Sequence, residues 1–119
     1  MGIKSYRDLE VWKNGIEIAD LVYKVTQAFP KEERYGLSSH MRKTGISIPS
    51  NVAEGHARHY RNDYIKFCYY SLGSVAELGT QMVIASRRDY LTHPDSPKLW
   101  QALESQGRML NSLITKLKT

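Results

Sequence analysis

The sequence predicts an all-α fold, an antiparallel up-down four-helix bundle that forms one domain over residues 1–119. Apolar residues recur at three- and four-residue spacing in four segments, roughly 7–29, 31–57, 62–88 and 97–118. Turn-forming stretches separate these segments, namely FPKEE, HARHYRND and LTHPDSPK. Strand signals are weak throughout, and connections this short favour antiparallel neighbours.

The first segment carries two neighbouring apolar stripes. One contains Leu9, Trp12, Ile16, Ala19 and Tyr23, and the other contains Val11, Ile18, Val22, Val25 and Phe29. So wide an apolar arc predicts a helix that packs against more than one neighbour. Pro30 ends this helix, and Glu32 and Glu33 then suit the first turn of the next one.

The second segment contains a proline inside a helical pattern. Leu37, Met41, Ile48 and Val52 keep helical spacing straight through Pro49. The pattern therefore predicts one helix kinked at Pro49 rather than two helices. Pro49 removes one N–H and crowds the carbonyl of residue 45, at a cost of about 3 kcal/mol in an ordinary helix. Gly45 gives the backbone room to bend, so we assign structural roles to Gly45 and Pro49.

Polar residues follow this proline. We expect Asn51 and Glu54 to make polar contacts inside the bundle or between subunits, and Gly55 to loosen the helix end. Glu77, in the third segment, also has apolar or small neighbours. Two such carboxylates could act as acid and base, but such a Glu more often bonds to backbone or to an Arg. We assign Glu54 and Glu77 structural roles and expect alanine at either position to destabilise the fold.

The last two segments have clear starts. Asn62 is the predicted N-cap of the third helix, in which Gly73, Ala76 and Gly79 permit close helix approach. Ser96 is the predicted N-cap of the fourth helix, with Pro97 at its first position. The heptad spacing of this helix is the cleanest in the chain, formed by Leu99, Leu103, Gln106, Leu110, Leu113 and Leu117.

Several function classes lack their motifs. Cys68 is the single cysteine, which excludes a disulfide within the chain and a cysteine-based metal site. No HExxH, GxxxxGK[ST] or GxGxxG sequence occurs, and the carboxylates are spread singly. We therefore expect no catalytic residues, no metal and no cofactor. A lone cysteine fits a reducing cytoplasm, and no apolar run approaches the roughly 20 residues of a membrane span.

Positive charge is concentrated in the middle of the chain. The net charge is +5, and residues 34–66 hold six bases and three histidines against two acids. A clustered basic patch indicates a polyanion partner, although it could also be a solubilising surface. We assign phosphate contacts to five bases, Arg42, Lys43, Arg58, Arg61 and Lys66. Tyr60 and Tyr64 lie among them and could stack on bases, or could be core or interface residues.

The wide apolar arcs and eight tyrosines indicate self-association. Tyrosine is favoured at protein interfaces, and most soluble homo-oligomers close by cyclic symmetry. A closed cyclic homo-oligomer is therefore a reasonable hypothesis.

Four motifs in order carry a family resemblance: LEVW, the turn from Phe29-Pro30 to Tyr35-Gly36-Leu37, SIPSNVAEG and GSVAEL. From end to end the chain resembles the bacterial four-helix-bundle proteins encoded in intervening sequences of the 23S rRNA gene. These are related to the accessory variability-determinant proteins of diversity-generating retroelements. The resemblance implies a cyclic homo-oligomer, a pentamer, with a basic surface and nucleic-acid or ribonucleoprotein partners. In the retroelement relatives the partner is a reverse transcriptase and its RNA.

Two function hypotheses follow. The first is a non-enzymatic, oligomeric bundle that binds RNA or DNA through its basic surface. The second is a protein-interaction scaffold, whose basic surface meets an acidic protein partner such as a reverse transcriptase or only lines a solvated pore. An enzyme ranks third, since only the isolated carboxylates Glu54 and Glu77 would support one.

Overall fold

The computed structural model describes residues 5–119, which form four α-helices. Helix α1 spans Glu10–Thr26, α2 spans Leu37–Ala57, α3 spans Arg61–Arg87 and α4 spans Ser96–Lys118. Short 3-10 turns at Tyr6–Asp8 and Lys31–Glu33 precede α1 and α2, and the described residues contain no strand. The predicted all-α, four-helix fold is confirmed. The predicted domain also included residues 1–4, which lie outside the described part.

The helices contact one another in a closed ring, in which α1 and α3 each pack against both α2 and α4. The resulting body measures 45 × 23 × 20 Å. Hydrogen bonds between α2 and α3 pair later residues of one helix with earlier residues of the other, as in Ser71 with Ile48 and Gln81 with Thr44. This order agrees with the antiparallel arrangement, which stays a prediction, as does the kink at Pro49.

The helix boundaries differ from the predicted ones at all four starts. Helix α1 begins at Glu10 rather than residue 7, after the 3-10 turn at Tyr6–Asp8. Helix α2 begins at Leu37 rather than residue 31, because Glu33 lies outside the helix and its Oε1 accepts the Leu37 N–H at 3.1 Å. Helix α3 begins at Arg61 after Tyr60 as N-cap, not Asn62. Helix α4 begins at Ser96 after Asp95, one residue earlier than predicted. The end of α1 also moves, from residue 29 to Thr26.

The apolar stripes meet along the axis of the bundle. Fully buried side chains come from all four helices, among them Ile18, Leu21, Met41, Ile48, Leu78, Met82, Leu99 and Leu110. One buried amide interrupts this apolar core, because Gln106 of α4 has no exposed surface. Its Nε2 donates to the Val11 carbonyl at 2.8 Å, and its Oε1 accepts from Asn14 Nδ2 at 2.9 Å. These bonds join α4 to α1.

Helix α2 approaches α1 at two glycines. A Cβ on Gly15 would lie 3.1 Å from Pro49 Cβ, so the proline ring packs directly on the α1 backbone. A Cβ on Gly45 would lie 3.2 Å from Val22 Cγ2. Gly45 therefore provides space for α1. The sequence had indicated a different role, room for the backbone to bend at Pro49.

Helix α2 also lies close to α3. A Cβ on Gly55 would come within 2.8 Å of Phe67 Cβ, so Gly55 is enclosed by α3 and lies before the end of α2. Two serines add polar contacts between the helices. Ser71 Oγ donates to the Ile48 carbonyl at 2.8 Å, and Ser47 Oγ donates to Ser74 Oγ at 2.7 Å. The expectation that Gly55 loosens the helix end does not match this placement.

We predict opposite effects of alanine at two helical glycines. Gly55→Ala should lower the free energy of unfolding, because overpacking costs about 1–3 kcal/mol and outweighs the gain in helix propensity. Gly107, inside α4, has nothing within 4 Å of an added Cβ. Gly107→Ala should therefore raise stability by about 1 kcal/mol. Urea denaturation at matched protein concentration measures both, and a stabilised Gly55→Ala variant would contradict the close approach.

Candidate nucleic-acid interface

Three of the five predicted phosphate-binding bases lie at the turn between α2 and α3. Arg58 is the C-cap of α2, Arg61 is the first residue of α3, and Lys66 lies in the second turn of α3. All three are exposed. Tyr60, between the helices, leaves 68% of its surface exposed. We call Arg58, Tyr60, Arg61 and Lys66 the turn site.

Arg58 is held in place by neighbours on both helices. Its Nη2 lies 2.9 Å from Glu54 Oε1, and its guanidinium carbon lies 4.7 Å from the centre of the Phe67 ring. Arg61 and Lys66 make no ion pair within residues 5–119. Their full charges therefore face solvent without a neutralising carboxylate, as a phosphate-binding surface requires.

The first turn of α3 adds backbone donors to the turn site. No side chain caps this helix, and its first backbone hydrogen bond is the 3.2 Å bond from the Tyr64 N–H to the Tyr60 carbonyl. The preceding N–H groups, those of residues 61–63, are free to bind an anion. Asp63 in the same turn partly offsets this positive potential.

The two tyrosines near the turn differ in environment. Tyr64 is half-buried, and its ring meets His56 edge-on with centroids 5.6 Å apart. Burial, and then the neighbouring Cys68, raises the pKa of Tyr64 to about 12. Tyr64 thus stays neutral at physiological pH and packs between helices. Tyr60 alone of the pair exposes most of its ring, which suits stacking on an unpaired base.

The other two predicted bases lie far from the turn site. Arg42 and Lys43 are in the second turn of α2, and Arg42 precedes Arg58 by sixteen residues. At the helical rise of 1.5 Å per residue this is about 24 Å along the axis. The structure therefore does not gather the five bases into one patch. Arg42 instead lines a cavity with Lys31 and Arg34, which the sequence had not assigned to any site.

The residues with predicted structural roles are placed differently from one another. Gly45 and Pro49 are buried, and half-buried Asn51 donates from Nδ2 to the Ser47 carbonyl at 2.9 Å. Glu54 and Glu77 are both exposed, because the helical rotation turns each away from its apolar neighbours. The ion pair of Glu54 is with Arg58 at the end of its own helix and not with a group inside the bundle. Contacts of Asn51 and Glu54 between subunits stay a prediction, as do the structural roles of Glu54 and Glu77.

The structure offers little for metal or cysteine chemistry. Within the described chain, no three His, Cys, Asp or Glu residues are grouped so that they could hold a metal ion. Cys68 is fully buried, and burial raises the pKa of its thiol to about 11. The thiol is therefore protonated at neutral pH and is a poor nucleophile. No described helix is long and apolar enough to cross a membrane.

Residues 7–112 match the family model of the 23S rRNA-intervening sequence protein. The chain belongs to this family. A solved structure of similar fold is a protein of unknown function from the S23 ribosomal protein family of Bacteroides thetaiotaomicron. The two share 20% identity and a TM-score of 0.78 over 88% of this chain and 95% of the other. No curated protein matches the chain. The family assignment confirms the resemblance carried by the four sequence motifs.

We predict that alanine at Glu54 or Glu77 changes the stability of the protomer little. Glu54→Ala removes one exposed ion pair between residues four apart, worth about 0.3–0.5 kcal/mol. Glu77 makes no hydrogen bond or ion pair within the described residues. Thermal or urea denaturation should show each variant within about 0.5 kcal/mol of the native protein. A loss above about 1 kcal/mol would instead favour the original expectation, with the contact lying between subunits.

Proposed function

We propose that this 23S rRNA-intervening sequence protein is a non-enzymatic, oligomeric bundle that binds RNA or DNA in the cytoplasm through the turn site. The observation that carries this proposal is the presence of unpaired, exposed Arg61 and Lys66 beside exposed Tyr60. The bases would contact phosphates, and Tyr60 would stack on an unpaired nucleobase. No recognition-helix or RNA-recognition-motif sequence occurs, so binding would follow backbone charge and strand exposure rather than base sequence.

The proposed site combines side-chain charge with the free N–H groups of α3. A phosphate at this helix end would accept hydrogen bonds from the backbone while Arg61 neutralises its charge. Arg58 is fixed by Glu54 and Phe67 and could contact a second phosphate. One turn site supports only a few phosphate contacts, and affinity would therefore depend on several copies acting together.

The outer face of α3 supports the proposed self-association. Four large apolar side chains on it are between 42% and 51% exposed: Tyr69, Tyr70, Val83 and Ile84. Small residues lie between them, including Gly73 and Ala76, which permit close approach of another helix. We propose that this face packs against a second copy of the chain in a closed ring. The pentamer that the resemblance implies would present five turn sites.

The alternative proposal is a scaffold whose turn site binds an acidic protein, such as a reverse transcriptase, or only lines a solvated pore. Its support is the same charge distribution, because carboxylates and phosphates both pair with arginine. The two proposals differ in one observable. A scaffold keeps its protein partner after nuclease treatment, whereas a nucleic-acid-binding protein loses the material that co-purifies with it.

We predict that single-stranded RNA or DNA binding depends on the turn site. Replacing Arg58, Arg61 and Lys66 together with Gln removes three charges and should flatten the log–log salt dependence by about 2, at roughly 0.7 per phosphate contact. Fluorescence anisotropy with a labelled single strand at several salt concentrations measures this slope. Gln keeps much of the side-chain length, so the turn should fold normally.

A charge-matched control tests location against net charge. Lys13, Lys98 and Arg108 are exposed bases on α1 and α4, each paired with a carboxylate. Replacing these three with Gln changes the net charge by the same amount. The control should keep the native salt slope. Equal slopes for both triple variants, or no binding of any single strand at low salt, would contradict the proposed function.

We predict that charge on the outer face of α3 dissociates the oligomer. Val83→Lys combined with Ile84→Lys places two cations where a second copy would pack, so the mass by light scattering should fall towards that of the 13.7 kDa chain. Asn111 and Thr115 are exposed polar residues of α4, and Asn111→Lys combined with Thr115→Lys is the control. A native protein that already has the single-chain mass, or a double variant that keeps its oligomeric mass, would refute this interface.

A further inference from the structure

A second basic site lies at the end of α2 opposite the turn site. A cavity of about 300 Å³ opens there between the end of α1, the α1–α2 connection and the start of α2. Three cationic side chains line it, those of Lys31, Arg34 and Arg42, and no carboxylate does. Glu32 and Glu33 belong to the same connection but do not line the cavity. A lining with three cations favours an anion.

Arg42 is fixed in this cavity by two contacts. Its Nε donates to Thr26 Oγ1 at 2.9 Å, and its guanidinium carbon lies 4.8 Å from the centre of the Tyr23 ring. Thr26 Oγ1 in turn donates to the Val22 carbonyl at 2.7 Å, which leaves the oxygen free to accept from Arg42. These contacts orient the guanidinium and leave its two Nη groups available. Arg42 is half-buried and makes no ion pair within the described residues.

Of the two carboxylates in the connection, Glu32 and Glu33, the second accepts hydrogen bonds from other groups. Glu33 Oε1 accepts the Leu37 N–H at 3.1 Å, and Glu33 Oε2 accepts the Tyr90 hydroxyl at 3.1 Å. Both oxygens therefore stabilise the start of α2 and the contact with the loop after α3. The three cations of the cavity therefore have no neutralising partner, and an external anion could provide the negative charge.

Ser38 adds a polar group at the wall of the cavity. Ser38 lines the cavity, and only 6% of the whole residue is exposed. Its hydroxyl is not among the buried polar atoms that lack a partner in the described chain, so the hydroxyl is open to the cavity. An anion in the cavity could accept a hydrogen bond from this hydroxyl. The cavity thus combines fixed charge with a hydroxyl donor at its wall.

We propose that this cavity binds a terminal phosphate group, that of a phosphomonoester or of inorganic phosphate. Such a group carries a charge of about −1.5 to −2 at neutral pH and presents three acceptor oxygens, which match three cations and one hydroxyl. The cavity volume lies at the small end of ligand sites, which suits a terminal group. The source is either the 5′-phosphate end of a nucleic-acid strand or a free phosphate. The site is about 24 Å from the turn site along α2 and does not depend on it.

Binding of inorganic phosphate and of two oligonucleotides tests this proposal. The oligonucleotides share one sequence, and one ends in a 5′-phosphate while the other ends in a 5′-hydroxyl. Calorimetry on the full chain should detect phosphate binding that Arg42→Gln weakens by about tenfold or more, the value of one charge-assisted bond. Arg34→Gln, at an exposed position, should also weaken phosphate binding. Because this exposed change leaves the fold intact, a loss of binding in both variants is not explained by misfolding of Arg42→Gln.

Lys24→Gln is the matched control, because Lys24 is an exposed base in the last turn of α1 but does not line the cavity. Its phosphate affinity should change less than about twofold. If strand ends are the source, the 5′-phosphate oligonucleotide binds more tightly than the 5′-hydroxyl one, and Arg42→Gln removes the difference. If free phosphate is the source, phosphate binds and the two oligonucleotides bind equally.

The proposal is overturned if phosphate does not bind and the 5′-phosphate has no effect. It is also overturned if Arg42→Gln and Arg34→Gln both leave phosphate binding unchanged, or if Lys24→Gln weakens it as much as they do. The turn-site variant should bind phosphate normally. Binding of the 5′-hydroxyl oligonucleotide tests the turn site alone, so failure of one proposal is distinguishable from failure of the other.

Discussion

Helix α2 packs closely on both α1 and α3, and this packing fixes the bundle and the positions of its two basic sites. Pro49 packs on Gly15 of α1, and Gly55 packs on Phe67 of α3, with no space for a side chain on either glycine. Proline and glycine both lower helix propensity, so tertiary packing must stabilise this helix. Serine hydrogen bonds between α2 and α3 add to that packing: Ser71 donates to the Ile48 carbonyl, and Ser47 donates to Ser74.

Both basic sites follow from the position of α2. The C-terminal end of α2 is held against α3 at Gly55. Only three residues connect the two helices, so Arg58 stays close to Arg61, the first residue of α3. No side chain caps this start of α3. The N-terminal end of α2 packs on the last turn of α1, which brings Arg42 to Thr26. One helix therefore separates two positive regions by about 24 Å along its axis. A ligand at one region would leave the other free, and the two can be tested independently.

Periodicity predicted the four helices, their order and most of their core residues, because apolar spacing records which face of each helix is buried. It did not predict the start of α2, since Glu33 bonds to Leu37 from outside the helix. The basic residues were treated as one patch because they are near in sequence, but helical rise separates Arg42 from Arg58. Glu77 has small and apolar neighbours along the chain, yet it lies on the exposed side of α3. The contact of Arg42 with Thr26 depends on helix packing and leaves no pattern in the sequence.

Amide hydrogen exchange, measured with and without a single-stranded RNA, shows whether nucleic acid binds at the start of α3. The N–H groups of residues 61–63 have no backbone acceptor in the free protein, and they should exchange quickly. Bound RNA should slow exchange at these amides and leave exchange on the exposed face of α4 unchanged. Protection confined to another surface, with unchanged exchange over residues 58–66, would contradict binding at the start of α3.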